Sequence, residues 1–251
     1  MGYAAKGEQG GIRVRERILL MGPPGSGKSY QLIKIYQALL EQKVTMAILD
    51  MEDKVSATLF SMDIPLSPYF KVCLRWEEFV EAVNSLTVKP GDWIGVDRID
   101  LTWPQVQRWY TQQQYQKDLS ERLLEVSKGM KRIGEFVPRF PEGSWQVINE
   151  NYESTILKLL YASQANIVMT CGIRGAEDSQ TDTFGHLGIA PRGQKELGHQ
   201  PHTALLFTQK LVGRQVSWEI TTAKDLPNRE SFYHDPLFDL YDQYVSKYWH
   251  R

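Results

Sequence analysis

The stretch "GPPGSGKS", from Gly22 to Ser29, fits G-x-x-x-x-G-K-[ST]. Each position has a chemical reason. Glycines let the backbone curl so that its N–H groups point inward at phosphate oxygens. Lys28 reaches the outer phosphates as a point charge, and Ser29 offers its hydroxyl to Mg²⁺. An apolar run, "RVRERILLM" (13–21), precedes the motif, and a helical pattern follows it. That context separates a phosphate cradle from a plain Gly-rich turn. Gly22, Pro23, Pro24, Gly25, Ser26, Gly27, Lys28, Ser29 and Tyr30 are therefore the candidate nucleotide-binding residues.

A cradle of this kind also needs an acid for the magnesium shell, at the end of an apolar strand further along. "WIGVD" supplies it in Asp97, so Ser29 and Asp97 are the candidate metal ligands. Hydrolysis also needs a group that orients water. A Glu often follows the strand-end Asp directly, but Arg98 stands there. The best alternative is Glu52, in "AILDMED", just past the strand after the cradle's helix, with Asp100 in reserve. In a parallel sheet the strand C-termini gather on the ligand side, which would bring Glu52 toward the γ-phosphate.

The elements that must position these groups follow from periodicity. "SYQLIKIYQALLEQ" (29–42) and "WEEFVEAVNSL" (76–86) carry apolar residues at helical spacing. "VTMAILDME" (44–52), "YFKVCL" (69–74), "DWIGVD" (92–97) and "ANIVMTCG" (165–172) read as short buried strands. Such alternation predicts an α/β fold with a mostly parallel central sheet flanked by helices. A helix is expected over 145–163. "TALLFTQKLVGRQVSWEITT" (203–222) predicts a C-terminal antiparallel strand pair joined around Gly213. The organisation expected is a single domain over 1–251. It carries a helical insertion at 102–144, a mobile polar loop at 173–202 and an amphipathic C-terminal helix at 235–249.

Within the insertion, Leu119, Leu123, Val126, Met130 and Ile133 make one apolar helix face. The segment is mildly basic, with Lys128, Lys131 and Arg132 on it. Its aromatics Trp103, Trp109, Tyr110 and Tyr115 suit either stacking on bases or burial in a core.

Composition bounds the rest. Hydrophobic residues are 42% and charged residues 24% of the 251, an ordinary globular balance. A net charge of −1 gives no overall bias toward nucleic acid, so any such site is local. Two cysteines about a hundred residues apart make neither a disulfide framework nor a zinc pattern, which points to a reducing cytoplasm. No apolar run approaches the ~20 residues of a membrane span, and the expectation is no membrane.

On these residues the chain resembles the RecA-like P-loop ATPases, of the class that sets an extra strand beside the phosphate-loop strand. More narrowly it resembles the small phage-encoded ATPases that act in single-strand annealing and recombination. The resemblance covers most of the chain and rests on "GPPGSGKS", on Asp50-Met51-Glu52 where RecA has Asp-Ala-Glu, and on Asp97. It implies ATP and Mg²⁺ as cofactors and Glu52 as the catalytic acid beside Lys28. It implies that Thr170, ending "IVMT", senses the γ-phosphate. The loop after it, with Arg174, Arg192 and Lys195, would contact single-stranded DNA. Lys224 and Arg229, in "TTAKDLPNR", would be trans-acting cations in a homo-oligomeric ring or filament. The location implied is the bacterial host cytoplasm, if the chain is phage-encoded. Arg98 and the insertion depart from the RecA pattern.

Four rivals remain at this level. A nucleotide kinase shares "GPPGSGK", with Arg174 and Arg192 as phosphoryl-binding arginines, but it has no use for the terminal strand pair. A GTPase would need Asn-Lys-x-Asp, which is absent, and "DTFG" (182–185) follows no apolar strand. A DNA-packaging motor would normally carry Glu at 98. A nucleotide-binding scaffold would leave Glu52 and Asp100 idle.

Overall fold

The computed structural model describes residues 16–129, 140–176, 184, 187–212, 215–225 and 233–234. Its main sheet has eight strands: β1 (Arg17–Met21), β2 (Met46–Asp50), β3 (Phe70–Val72), β4 (Trp93–Asp97), β5 (Asn166–Cys171), β8 (Thr203–Val212), β9 (Gln215–Asp225) and β10 (Tyr233–His234). Their order is β10-β9-β8-β1-β5-β4-β2-β3. The run from β8 through β1, β5, β4 and β2 to β3 is parallel throughout. β9 and β10 continue it antiparallel. The α/β architecture expected from the sequence is present, with one strand, β5, between the phosphate-loop strand and the Asp97 strand. A small second sheet pairs β6 (Ile173–Gly175) with β7 (Ile189–Pro191).

Helices cover both faces because the central strands are apolar on both. β2 and β4 are buried along their whole length. Successive side chains along β1 point to opposite sides. Ile18 and Leu20 pack with Leu32, Ile33 and Tyr36 of α1 (Lys28–Glu41). Leu19 and Met21 belong to the other apolar layer, with Phe79 of α3 (Trp76–Ser85), Val106 of α4 (Thr102–Tyr115) and Ile148 of α6 (Glu142–Leu157). A π turn, Lys158–Ala162, leads from α6 toward β5.

Two elements were not foreseen. The helix α2 (Val55–Ser61) follows β2 directly. It starts where the buried Asp50 carboxylate turns the chain: Oδ1 accepts from the Glu52 N–H at 2.9 Å, and Oδ2 from the N–H groups of Lys54 and Val55, each at 2.8 Å. The polar stretch 173–202 is folded at both described ends, as the β6–β7 ribbon and a 3-10 turn, Lys195–His199, with Phe184, Ala190 and Leu197 buried.

The 102–144 segment carries α4 and α5 (Leu119–Gly129) and enters α6. Its aromatics take the packing alternative. Trp103 stacks on Trp145, with centroids 6.3 Å apart, and meets Tyr152 edge-on. Tyr110 is buried, edge-on to Phe140, and donates its hydroxyl to Ser144 Oγ at 2.7 Å. Trp109 and Tyr115 lean on the same core. The apolar face expected on α5 is not buried: the helix has no buried residue, and Leu123 is 40% exposed. Met130 and Ile133 of that face, the turn at Gly213 and the helix expected at 235–249 lie outside the described residues.

Candidate functional site: a phosphate cradle on the strand ends

β1 delivers the chain to the cradle, and close packing shapes it. The Gly22 N–H donates to Cys171 O at 3.3 Å, tying the loop's start to the end of β5. A Cβ on Gly22 would stand 2.3 Å from Phe207 O and 2.8 Å from Ser26 Oγ, so no side chain fits there. Gly27, with φ 93°, makes the left-handed step into α1. Lys28, the first residue of α1, folds back over the loop. Its Nζ donates to Pro23 O at 2.8 Å and lies 3.3 Å from Ser26 Oγ. Burial holds the Lys28 ammonium below the usual lysine range. A largely buried cation held over the loop by the Pro23 carbonyl and the Ser26 hydroxyl is suited to phosphate oxygens. Pro24, Gly25 and Tyr30 are the exposed residues of the stretch, Tyr30 at 40%. Gln209 of β8 donates its side-chain amide to Gly25 O, so the strand pair touches the cradle's outer rim. No sequence signal marked Gln209 or Phe207 as neighbours of the loop.

The two candidate metal ligands stand together. Ser29 Oγ is 2.9 Å from Asp97 Oδ1 and 3.1 Å from Oδ2. Asp97 is 1% exposed, and burial raises its carboxyl above the ordinary aspartate range, opposed by hydrogen bonds from Thr170 and Ser29. One hydroxyl and one carboxylate are the hard-oxygen donors Mg²⁺ takes when phosphates and waters fill its other positions.

β5 lies beside β4 with Met169 level with Val96, which sets Thr170 beside Asp97. The buried Thr170 hydroxyl donates to Asp97 Oδ1 at 2.6 Å and accepts the Arg98 N–H at 2.8 Å. Asp50 and Asp97 are register partners on β2 and β4. The turn after Asp50 carries Glu52 to the same end of the sheet.

Arg98 joins the two candidate acids. Its Nη1 donates to Glu52 Oε1 at 2.8 Å. Its Nε and Nη2 fork onto Asp100 Oδ1 and Oδ2 at 2.9 and 3.0 Å. Sequence reading flagged Arg98 only as a departure from pattern. Nothing in the spacing announced that it would span Glu52 and Asp100.

The remaining candidates are dispersed. Lys128 is exposed on α5; Lys131 and Arg132 lie outside the described residues. Arg174 lies in β6 and Arg192 just past β7, and the flanking Gly172 and Gly193 abut Asp100: Arg192 N–H donates to Gly172 O at 2.8 Å, and Arg174 Nε to Pro191 O at 3.2 Å. Lys195 opens the 3-10 turn. Lys224 is paired in register with Ala204, and Ala204 with Leu19, so it sits at the level of β1's middle, short of the cradle. Its Nζ lies 3.0 Å from His199 O and 3.4 Å from Gly198 O, and burial lowers its pKa. Arg229 lies outside the described residues.

Fold and site together define the class: an α/β protein with a mostly parallel central sheet, flanking helices, an antiparallel strand pair and a Gly-rich loop of the phosphate-cradle pattern at the strand ends. No protein-family model matches the chain, and no curated protein matches it. Among solved structures, a KaiC-like protein from the hyperthermophilic archaeon Pyrococcus horikoshii OT3 is similar at 11% identity. Its TM-score is 0.47, covering 86% of this chain and 84% of that one. Among the described residues, no helix is long and apolar enough to cross a membrane.

Proposed function

We propose that the protein binds ATP with Mg²⁺ and hydrolyses it, and that turnover is coupled to single-stranded DNA in annealing or recombination. One observation carries the first half. Ser29 of α1, Asp97 of β4 and Thr170 of β5 form a connected polar array at the strand ends, and the buried Lys28, folded over the loop, stands one residue before Ser29. Buried acids and cations cost stability unless they are paired, and groups perturbed in this way cluster at functional sites.

In this reading the loop N–H groups and Lys28 hold the β- and γ-phosphates. Ser29 and Asp97 hold the metal, which when bound neutralises charge on those phosphates. Glu52 orients a water whose oxygen attacks the γ-phosphorus. The bond to the β–γ bridging oxygen breaks, releasing ADP and phosphate. Thr170, bonded to both Asp97 and the Arg98 backbone, passes the change on to the end of β5 and the β6–β7 ribbon beyond. Arg174, Arg192 and Lys195 on that ribbon and turn, with Lys128, Lys131 and Arg132, are the proposed DNA contacts. Lys224 and Arg229 are the proposed contribution of one copy to the site of the next in a homo-oligomer.

The test is steady-state ATP hydrolysis with Mg²⁺, with and without single-stranded DNA, across a salt series. The reading expects turnover that Lys28→Ala abolishes, DNA stimulation that fades as salt rises, and loss of that stimulation when Lys128, Lys131 and Arg132 are neutralised. Turnover indifferent to DNA would sink the coupling and leave an ATPase. Absence of turnover with intact ATP binding would leave a nucleotide-binding scaffold.

A further inference from the structure

We propose that Gln209 is a positioning residue for the phosphate loop: from β8 it holds the Gly25 carbonyl outward and so keeps the Ser26 N–H on the phosphate side. This rests on the reading of the loop as a nucleotide cradle.

The loop's freedom is concentrated at its tip. Pro23 and Pro24 have φ fixed by their rings and carry no N–H to give. Gly25 and Gly27 both take left-handed backbone, with φ 76° and 93°. Turning the Gly25–Ser26 peptide over changes ψ at Gly25, where no Cβ opposes it. A trans peptide points its C=O and N–H in opposite directions. With the carbonyl outward, the Ser26 N–H is offered to a phosphate oxygen. With the peptide turned over, a carbonyl oxygen would face the phosphates and repel them.

β8 is placed to decide between the two. It pairs with β1 from Ile18↔Thr203 to Met21↔Leu206 and then runs on to Val212, past the point where the loop leaves β1. Its backbone presses on Gly22 at Phe207 O. Two residues further on, the exposed Gln209 donates its side-chain amide to Gly25 O. Among the described residues, Gln209 Nε2 is the one atom beyond Gly25's chain neighbours within 4 Å of where a Cβ on Gly25 would stand, at 3.6 Å. The Ser26 N–H points the other way, to Pro23 O at 3.4 Å, and that oxygen already accepts Lys28 Nζ at 2.8 Å. The N–H therefore lies on the Lys28 side, in a long, shared bond that a phosphate oxygen can replace. Gln209 brings neither a charge nor a reacting group, so its effect belongs to binding and not to the chemical step.

The experiment measures Kd for Mg-ATP by competition with a fluorescent ATP analogue, together with kcat and KM. It uses the full chain as wild type, Gln209→Met, Gln209→Glu and Lys28→Ala. Met keeps the length of Gln without a donor, and Glu keeps its shape but sets an acceptor against the Gly25 oxygen. Gln209→Met is expected to raise Kd and KM together by roughly threefold to tenfold, the worth of one hydrogen bond, with kcat little changed. Gln209→Glu is expected to lose more. Without nucleotide, both variants are expected to melt with wild type, which a merely structural role would not give. Inorganic triphosphate, which has no base or sugar, is expected to compete less well by the same factor. A loss for ATP with no matching loss for triphosphate would put Gln209 against the base or sugar. Unchanged Kd in both variants would mean that the loop tip holds itself. Either result overturns the proposal while Lys28→Ala still abolishes binding and the cradle stands. If wild type binds no Mg-ATP, the cradle reading fails and the proposal goes with it.

Discussion

Thr170 gives its hydroxyl proton to Asp97 at 2.6 Å while the same oxygen takes the Arg98 N–H, all at the buried end of β5. Thr170→Val keeps the shape and removes both bonds. It leaves a buried carboxylate short of a donor and an N–H without an acceptor. The expected cost is about 1–3 kcal/mol of stability, read by denaturant unfolding, together with a fall in kcat. Thr170→Ser restores most of both. Equal stability in the Val variant would mean that water replaces the hydroxyl.

Ser29 bonds both oxygens of Asp97, so removing its hydroxyl strips the metal site of one donor and Asp97 of one partner. For Ser29→Ala, nucleotide affinity in Mg²⁺ is expected to drop to the level that wild type shows in EDTA. Titration of a fluorescent ATP analogue with and without the metal measures this. A Ser29→Ala protein that still gains affinity from Mg²⁺ would move the ligand elsewhere.

The Lys28 ammonium is desolvated, and its pKa in the fold lies below the unfolded value. Wild type therefore gives up stability wherever Lys28 is protonated in both states. It recovers that stability as pH rises through the lowered folded pKa toward the unfolded one. Lys28→Met is expected to lose ATP binding and yet melt no lower than wild type at neutral pH. The difference should narrow as the solution is made strongly alkaline. Thermal melts across that range check the sign.

Both cysteines are buried and free. Burial, first, and then nearby Glu78 and Asp50 push the Cys73 thiol up to about 12, and burial raises Cys171 further. Thiolate is the reactive form. Neither cysteine should react with a disulfide reagent in the native protein at pH 8, and both should react after denaturation. Fast labelling of the native chain would contradict the packing of β3 and β5.

Phe140 is fully buried, edge-on to Tyr110 and to Trp145. Phe140→Ala is expected to cost about 3–5 kcal/mol. Leu123→Ala, on the exposed α5, should stay within about 0.5 kcal/mol. Chemical denaturation separates the two, and a large effect at Leu123 would mean that α5 is covered in solution.

Local patterns carried the sequence reading a long way. The Gly-rich loop, the strands ending at Asp50, Asp97 and Cys171, the helices starting at Lys28 and Trp76, and the terminal strand pair all depend on spacing within a few residues. Those are the interactions a linear pattern records. The order of strands, the Arg98 bridge and the contact of Gln209 with Gly25 join residues far apart in the chain, and no period encodes them. The short α2 has no starting signal in the spacing, because the acceptor for its first N–H groups, Asp50, lies four to five residues back at the end of the strand's apolar run. The α5 face shows the limit of such patterns: helical spacing says that a face is apolar, not how far it is covered, and here Leu119 leans on the core while Leu123 stays exposed. Trp103 and Tyr110 were undecided between stacking and packing because composition is the same for both.

β3 closes the sheet on the side away from the phosphate loop after only three residues, with Lys71 exposed between two half-buried neighbours. An outer strand this brief offers few unpaired N–H and C=O groups to a foreign chain, and a central lysine is an unwelcome guest in a new ladder. Growth of the sheet from copy to copy is discouraged on that side. A second molecule approaching there meets side chains, so whatever contact it makes must be won by shape and chemistry rather than templated by backbone.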